Sequence, residues 1–130
     1  MIKYFYALVI IFLTGCVEEP SIEGEIPTLK TNLELCNKGV GYACWNVAIL
    51  YYTGEAGTTK SYLKASNYYS LACQLGEGSA CNSLASMYLK GEGLIFDAKK
   101  GLSLQKKACL LGNDLGCKNY NSNTYGIDRD

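Results

Sequence analysis

Cysteine, serine and lysine are the residues whose spacing in this sequence could support chemistry. Six of the seven cysteines form three pairs whose members are eight positions apart. The pairs are Cys36 and Cys44, Cys73 and Cys81, and Cys109 and Cys117. A serine also precedes a lysine by three positions at Ser61 and Lys64, and again at Ser103 and Lys106. The sequence contains no histidine, which removes the commonest general base and a frequent metal ligand.

The cysteine pairs recur about every 36 residues, and other residues repeat with them. The residues that coincide are Gly39, Gly76 and Gly112, then Ala48 and Ala85, Tyr51 and Tyr88, and Gly54 and Gly91. A period of this length is typical of units of two helices, which bury their apolar faces by stacking on neighbouring units. The sequence therefore predicts an all-α fold, a short right-handed solenoid of αα-hairpins stapled by disulfides.

The apolar positions within a unit define the faces that should be buried. In the second unit Ala80, Leu84 and Tyr88 recur at helical spacing until the glycines of GEG, at 91–93, end the helix. Asp97 is the expected N-cap of the next helix. That helix carries a second apolar stripe, made of Gly101, Leu104, Ala108 and Leu111, and in the first unit the same columns hold Ala65, Tyr68, Ala72 and Leu75.

The first sixteen residues, MIKYFYALVIIFLTGC, have the layout of an export signal. Lys3 precedes an apolar run at 4–13, which is shorter than the roughly 20 residues of a membrane span. The ending LTGC resembles the bacterial lipoprotein box, which implies that Cys16 is lipidated. An ordinary cleaved signal, with an incidental cysteine, is the alternative. Lipidation would leave the other six cysteines as three complete pairs.

These features divide the chain into four segments. Residues 1–15 are predicted to be a signal peptide and 16–27 a lipid-anchored flexible tether, acidic and poor in apolar residues. Residues 28–126 are predicted to form the solenoid, with a cap helix at each end of two full repeats, and 127–130 a tail. Val17 follows the anchor in place of the aspartate that retains similar lipoproteins in the inner membrane. The resemblance implies an exported protein of the periplasm or cell surface, held in the outer membrane.

Each cysteine pair is expected to form a disulfide bond across the turn between two helices. In a single continuous helix, eight residues would separate the cysteines by about 12 Å, too far for a bond. A glycine such as Gly76 lets the chain turn back, so that Cys73 and Cys81 can face each other. Zinc is the alternative, but zinc sites favour shorter gaps within a cysteine pair. Export to an oxidising compartment also favours disulfides.

The two Ser-x-x-Lys pairs match the acylation motif of serine β-lactamases. Ser61, however, falls in the same repeat column as Asp97, and both are expected to cap the start of a helix. Neither a Ser-Asp-Asn nor a Lys-Thr-Gly motif accompanies the pairs. We therefore predict no catalytic residue.

The helix pairs, the segment LASMYLKGEG followed by KKACLLG, and the cysteine spacing resemble Sel-one-like (TPR-like) repeats. More narrowly, they resemble the Helicobacter cysteine-rich proteins, over residues 29–117. Members of that family are commonly described as penicillin-binding proteins or weak β-lactamases, so the resemblance implies β-lactam hydrolysis as an alternative function. The function expected of a short helical solenoid is that of a protein-binding scaffold.

The predicted partner-binding site is an apolar stripe on the first helix of the first unit. It consists of Tyr42, Trp45, Ile49 and Tyr52. In the second unit the same columns hold Ser79, Asn82, Ser86 and Leu89. Stacking does not require a position that is aromatic in one unit and polar in the other, and tryptophan and tyrosine often anchor interfaces. The alternative is that the N-terminal helix, through Leu29 and Leu33, or the tether covers the stripe.

Charge and composition limit the remaining partners. Lys plus Arg and Asp plus Glu both total 12, so no basic surface for nucleic acid is predicted. The expected partners are an unidentified protein or a peptidoglycan-related ligand, and the membrane through the lipid anchor. No cofactor and no metal are predicted.

Overall fold

A computed structural model describes residues 28–125, whose regular structure is entirely helical. The helices are α1 (Leu29–Asn37), α2 (Gly41–Thr53), α3 (Tyr62–Gln74), α4 (Gly78–Lys90), α5 (Ala98–Leu110) and α6 (Asp114–Thr124). Each helix packs against the next one along the chain. The predicted all-α solenoid of helix pairs is therefore confirmed, with α1 and α6 as the single helices at its two ends.

The connections between helices lie at two opposite edges of the stack. The turn edge carries the short turns at 38–40, 75–77 and 111–113. The loop edge carries the longer connections at 54–61 and 91–97, together with the start of α1. Helices of 13 residues, such as α2 and α4, separate the two edges by about 20 Å.

Disulfide bonds staple all three turns of the turn edge. Cys36 bonds to Cys44, Cys73 to Cys81 and Cys109 to Cys117, with Cα–Cα separations of 4.6, 4.7 and 4.3 Å respectively. The glycine within each turn has a positive φ, which is 90° at Gly76. Glycine adopts this left-handed conformation without a steric penalty and so ends the preceding helix. The predicted pairing across glycine turns is confirmed.

Side-chain caps begin the helices at the loop edge. The Ser61 hydroxyl accepts a hydrogen bond from the Lys64 backbone N–H at 3.3 Å, and Asp97 Oδ1 accepts one from the Lys100 N–H at 2.9 Å. Each cap satisfies a backbone donor that has no partner within the helix. The equivalence of Ser61 and Asp97, predicted from the repeat, is thus confirmed.

Small side chains fill the interfaces between helices. Ala48, Ala80 and Ala108 are fully buried. A Cβ added to Gly116 would lie 2.6 Å from the Ala108 Cβ, so α5 and α6 approach closely at that glycine. Close approach of the helix axes explains why alanine and glycine occupy the repeated columns.

One member of each second-helix stripe is not buried as predicted. Gly101 and Ala108 are buried and Leu104 is half-buried, but Leu111 is 42% exposed and its counterpart Leu75 is 43% exposed. Both leucines are C-cap residues that lie beyond the last helical turn. The helical period that places the earlier residues on the buried face no longer applies where the chain enters the turn.

Within the described part of the chain, no helix combines the length and apolar character needed to cross a lipid bilayer.

Candidate partner-binding face

The face formed by the first helices of the units, α2, α4 and α6, carries the predicted binding residues. Tyr42 lies at the start of α2 and is 58% exposed. Its ring centroid is 5.5 Å from that of Trp45, one turn further along the helix. The two rings form an aromatic pair with a solvent-exposed member, at columns that hold the polar Ser79 and Asn82 in α4.

Trp45 is held more deeply than Tyr42. Its side chain is half-buried and packs against the hydrophobic core, as does Ile49. The indole Nε1 of Trp45 is buried without a hydrogen-bond partner among the described residues. Native proteins seldom leave a buried donor unpaired, because the desolvation of that group is then uncompensated. Because its side chain also packs against the core, Trp45 contributes to the stability of the fold as well as to the surface of the face.

Tyr52 belongs to the contact between the first unit and the loop at 91–97. Its ring lies 5.1 Å from the ring of Tyr62 and 6.4 Å from that of Tyr69. Its hydroxyl donates a 2.7 Å hydrogen bond to Glu92 Oε2, and this bond is the main reason that the pKa of Tyr52 is raised to about 12. The four residues of the predicted stripe thus differ in environment, and Tyr42 is the exposed one.

The alternative cover for the stripe involves two segments. Leu29 and Leu33 are half-buried on α1, which packs against α2. The tether at 16–27 lies outside the described residues, as do the signal peptide and Cys16.

Toward the C-terminus, amide and hydroxyl groups replace the aromatic rings on this face. Asn119 Nδ2 donates to Asn82 Oδ1 at 3.1 Å, and Asn113 Nδ2 donates to the Ser79 hydroxyl at 3.1 Å. Both bonds join α4 to the α6 region. Ser86 and Leu89, which complete the column set of α4, are half-buried.

A buried polar column, which our reading of the sequence missed, runs through the second helices. Asn32, Tyr69 and Gln105 occupy equivalent repeat positions and are 4%, 4% and 3% exposed. Asn46 Nδ2 donates to Asn32 Oδ1 at 3.3 Å, and Asn123 Nδ2 donates to Gln105 Oε1 at 3.0 Å. Burial raises the pKa of Tyr69. These three residues fall in one column of the repeat alignment, but they are of three different types. The sequence therefore contains no signal that the column is buried and polar.

The serine–lysine pairs are placed in surroundings unlike an acylation site. The Ser61 hydroxyl is occupied by its cap, and the Lys64 Nζ lies 5.1 Å above the ring of Tyr51. Ser103 and Lys106 are both exposed on α5. Acylation needs a nucleophile and a base in contact, within a site that excludes water. These environments do not support that chemistry.

The cysteines and carboxylates of the described residues were the candidate ligands for a metal ion. Between residues 28 and 125, no group of three or more Cys, Asp or Glu side chains is arranged to hold a metal ion. The six cysteines of the repeats are consumed in disulfide bonds. Disulfide formation is therefore the outcome for these residues, rather than zinc ligation.

Comparison with protein families identifies the repeat. Residues 41–77 and 78–113 each match the Sel1 repeat model. These two segments cover more than half of the chain and coincide with the helix pairs α2–α3 and α4–α5. The chain belongs to the Sel1 repeat family.

Solved structures share the helical arrangement. Cysteine-rich protein B of Helicobacter pylori matches with a TM-score of 0.67 and 28% identity, over 69% of this chain and 67% of that one. A Sel1 repeat protein of Oxalobacter formigenes matches with a TM-score of 0.66 and 20% identity, over 71% of this chain and 37% of that one. A protective antigen of uropathogenic Escherichia coli, c5321, matches with a TM-score of 0.63 and 22% identity, over 68% of this chain and 19% of that one. The last two matches, which are below 25% identity, show that the fold is shared.

Two frog proteins are similar in sequence. Cytochrome c oxidase assembly factor 7 of Xenopus tropicalis is 37% identical over an alignment of 92 residues that covers 67% of this chain and 40% of that protein. Cytochrome c oxidase assembly factor 7A of Xenopus laevis is 30% identical over 73 residues, 56% of this chain and 32% of that protein. The chain thus spans two fifths or less of the length of these relatives.

Proposed function

We propose that this chain is a lipid-anchored, exported repeat protein that binds a partner protein through its first-helix face. Sel1 repeats provide a scaffold of stacked helix pairs, and such scaffolds commonly act by presenting a continuous binding surface. The names of the frog relatives describe assembly factors, which is compatible with an interaction role. The lipoprotein box that ends at Cys16 supports the anchor.

The observation that carries the binding proposal is the exposed aromatic pair at the start of α2. Tyr42 is 58% exposed, although tyrosine is a large amphipathic residue and the equivalent column of α4 holds a serine. Trp45 supports the Tyr42 ring at 5.5 Å. A rigid, partly supported aromatic ring buries a large area at small entropic cost, which is why such residues anchor protein interfaces.

A capture experiment with Tyr42→Ala tests this proposal. Lipidated protein with its disulfide bonds intact is used to capture partners from detergent-solubilised membranes of the cells that produce it. The bound proteins are quantified by mass spectrometry. We expect Tyr42→Ala to weaken capture about tenfold or more, as for an interface anchor. Its melting temperature should change little, because substitution of an exposed residue seldom alters stability by more than about 0.5 kcal/mol.

Tyr125→Ala provides the matched control. Tyr125 is 72% exposed and lies directly after α6, away from the aromatic pair. This variant should capture the same partners as the unaltered protein. Equal capture by Tyr42→Ala and the unaltered protein would contradict the proposed site.

A further inference from the structure

The loop at 91–97 presents two large apolar side chains to solvent at the loop edge. Ile95 is 91% exposed and Phe96 is 62% exposed. At the matching positions of the preceding loop, the chain has Thr59 and Lys60. The repeat architecture therefore does not require apolar residues here. Exposed apolar patches commonly mark interaction sites.

The loop is held in place on both sides of its apolar tip. Gly93 has a φ of 66°, and a Cβ added to it would clash with the Tyr62 Cβ, so the loop backbone rests directly on α3. Leu94 packs against the core. The Asp97 backbone N–H donates to the Tyr88 carbonyl oxygen at 3.1 Å. The exposure of Ile95 and Phe96 is thus a property of an ordered loop.

Exposed lysines are frequent along the loop edge. Six of them lie in the loops or in the helix turns that border the loops: Lys30, Lys60, Lys64, Lys90, Lys99 and Lys100. Three carboxylates lie there as well, of which Glu55 and Asp97 are exposed and Glu92 is half-buried and accepts the hydrogen bond of Tyr52. Among the described residues, the loop edge therefore carries more positive than negative charge.

We propose that Ile95 and Phe96 insert into the interfacial region of an anionic membrane, with the lysines of the loop edge on the lipid headgroups. Two side chains offer far less area than the roughly 800 Å² per partner of a standard protein interface. A lipid interface accepts a small convex tip without matching its shape, and nearby lysines add attraction to anionic headgroups.

The topology directs this edge toward the membrane. The chain enters α1 at Thr28, on the loop edge, so a tether from Cys16 would leave the repeats on the same side as Ile95 and Phe96. This part of the argument rests on the proposed anchor. Insertion by two residues is weak alone, but an anchored chain holds them at a high effective concentration beside the bilayer.

A fluorescence experiment without the acyl chain separates the loop from the anchor. Mature protein, residues 16–130, with Cys16→Ser carries Trp45→Phe, which removes the only native tryptophan, and Phe96→Trp as the reporter. The apolar run at 4–13 is left out because it would itself bind vesicles. The probes are vesicles of phosphatidylcholine alone and vesicles with equal parts of phosphatidylglycerol. We expect a blue shift of the emission on the mixed vesicles and a smaller one on the neutral vesicles.

Leu110→Trp in the same background is the matched control. Leu110 is 78% exposed but lies at the turn edge, about 20 Å from the loop edge along the helices. Its emission should not shift. In a protein that keeps Phe96, Ile95→Ser should weaken vesicle co-sedimentation about tenfold.

Three outcomes would overturn the proposal. They are no shift of the Phe96→Trp reporter, an equal shift of both reporters, and a shift that appears only when membrane proteins are added to the vesicles. The last would assign the tip to a protein partner. None of these results bears on the anchor, which is tested through the mass and membrane retention of the Cys16 variant.

Discussion

Ser61 and Ser103 each precede a lysine by three residues, yet their side chains do different things. The Ser61 hydroxyl caps α3, whereas Ser103 is exposed on the second turn of α5. The Ser-x-x-Lys motif therefore does not have one common role at its two occurrences in this chain. Each serine has the role that its position in a helix assigns to it.

Substitution of the two serines separates a structural role from a catalytic one. Ser61→Ala should lower the free energy of unfolding by about 1 kcal/mol, because it removes a helix cap. Ser103→Ala should change it by less than about 0.5 kcal/mol. Denaturant titration measures both values.

The same variants test the β-lactamase alternative. The unaltered protein is expected to hydrolyse a chromogenic cephalosporin slowly or not at all, and neither substitution should change the rate. Turnover that disappears in only one variant would show that its serine is a nucleophile and would favour the alternative function.

At the scale of elements, the three stapled turns share a design but differ in burial. Cys36, Cys44, Cys73 and Cys81 are at most 3% exposed, whereas Cys109 and Cys117 are half-buried. Each of the first two turns packs against the turn that follows it, since Gly41 lies close to Leu75 and Gly78 lies close to Asn113. The third joins α5 to the terminal helix α6, beyond which the described chain adds no further helix.

This difference predicts an order of reduction. A limiting amount of reductant should open Cys109–Cys117 before the other two bridges, because thiolate attack on a disulfide requires access to its sulfur. Alkylation of the freed thiols, followed by peptide mapping, identifies the bridge that opened. Simultaneous opening of all three would show that burial does not protect the first two.

Complete reduction extends the same test to stability. Each bridge closes a small loop and should stabilise the fold by roughly 2–3 kcal/mol. The reduced chain is therefore expected to melt at a much lower temperature than the oxidised one. An unchanged melting temperature would mean that helix stacking alone maintains the solenoid.

At the scale of the whole molecule, the two edges and the first-helix face have different chemistries. The turn edge is covalently stapled, the loop edge is basic with an apolar tip, and the first-helix face passes from aromatic to amide-rich. In the proposed arrangement, the loop edge meets the membrane and the first-helix face remains available to a partner. Membrane attachment and partner binding can then occur together.

The lipid anchor gives the prediction for the intact molecule. Cys16→Ser should abolish the mass increase from lipidation and move most of the protein from the membrane fraction to the soluble fraction. Mass spectrometry and membrane fractionation measure the two effects. Val17→Ser is the control, which should keep both the lipid and the membrane association. Unchanged mass and retention in Cys16→Ser would contradict the anchor.

Features that depend on short-range sequence could be predicted without the structure. The pairing of Cys73 with Cys81 follows from their spacing and the glycine between them, because only a turn at Gly76 brings the two sulfurs together. The caps at Ser61 and Asp97 follow from side-chain chemistry within one helical turn. The repeat period extends these local rules to the order of the helices.

Exposure was decided only by the tertiary structure, because it depends on residues that are distant in sequence. Tyr42 and Tyr52 lie on one predicted stripe, but Tyr52 meets Glu92 forty positions away, while Tyr42 remains in solvent. Ile95 and Phe96 are exposed in a loop whose backbone is held against α3, where Gly93 fits against Tyr62. A single repeat unit encodes its own turns and caps, but the stacking of several units determines which side chains remain available for binding.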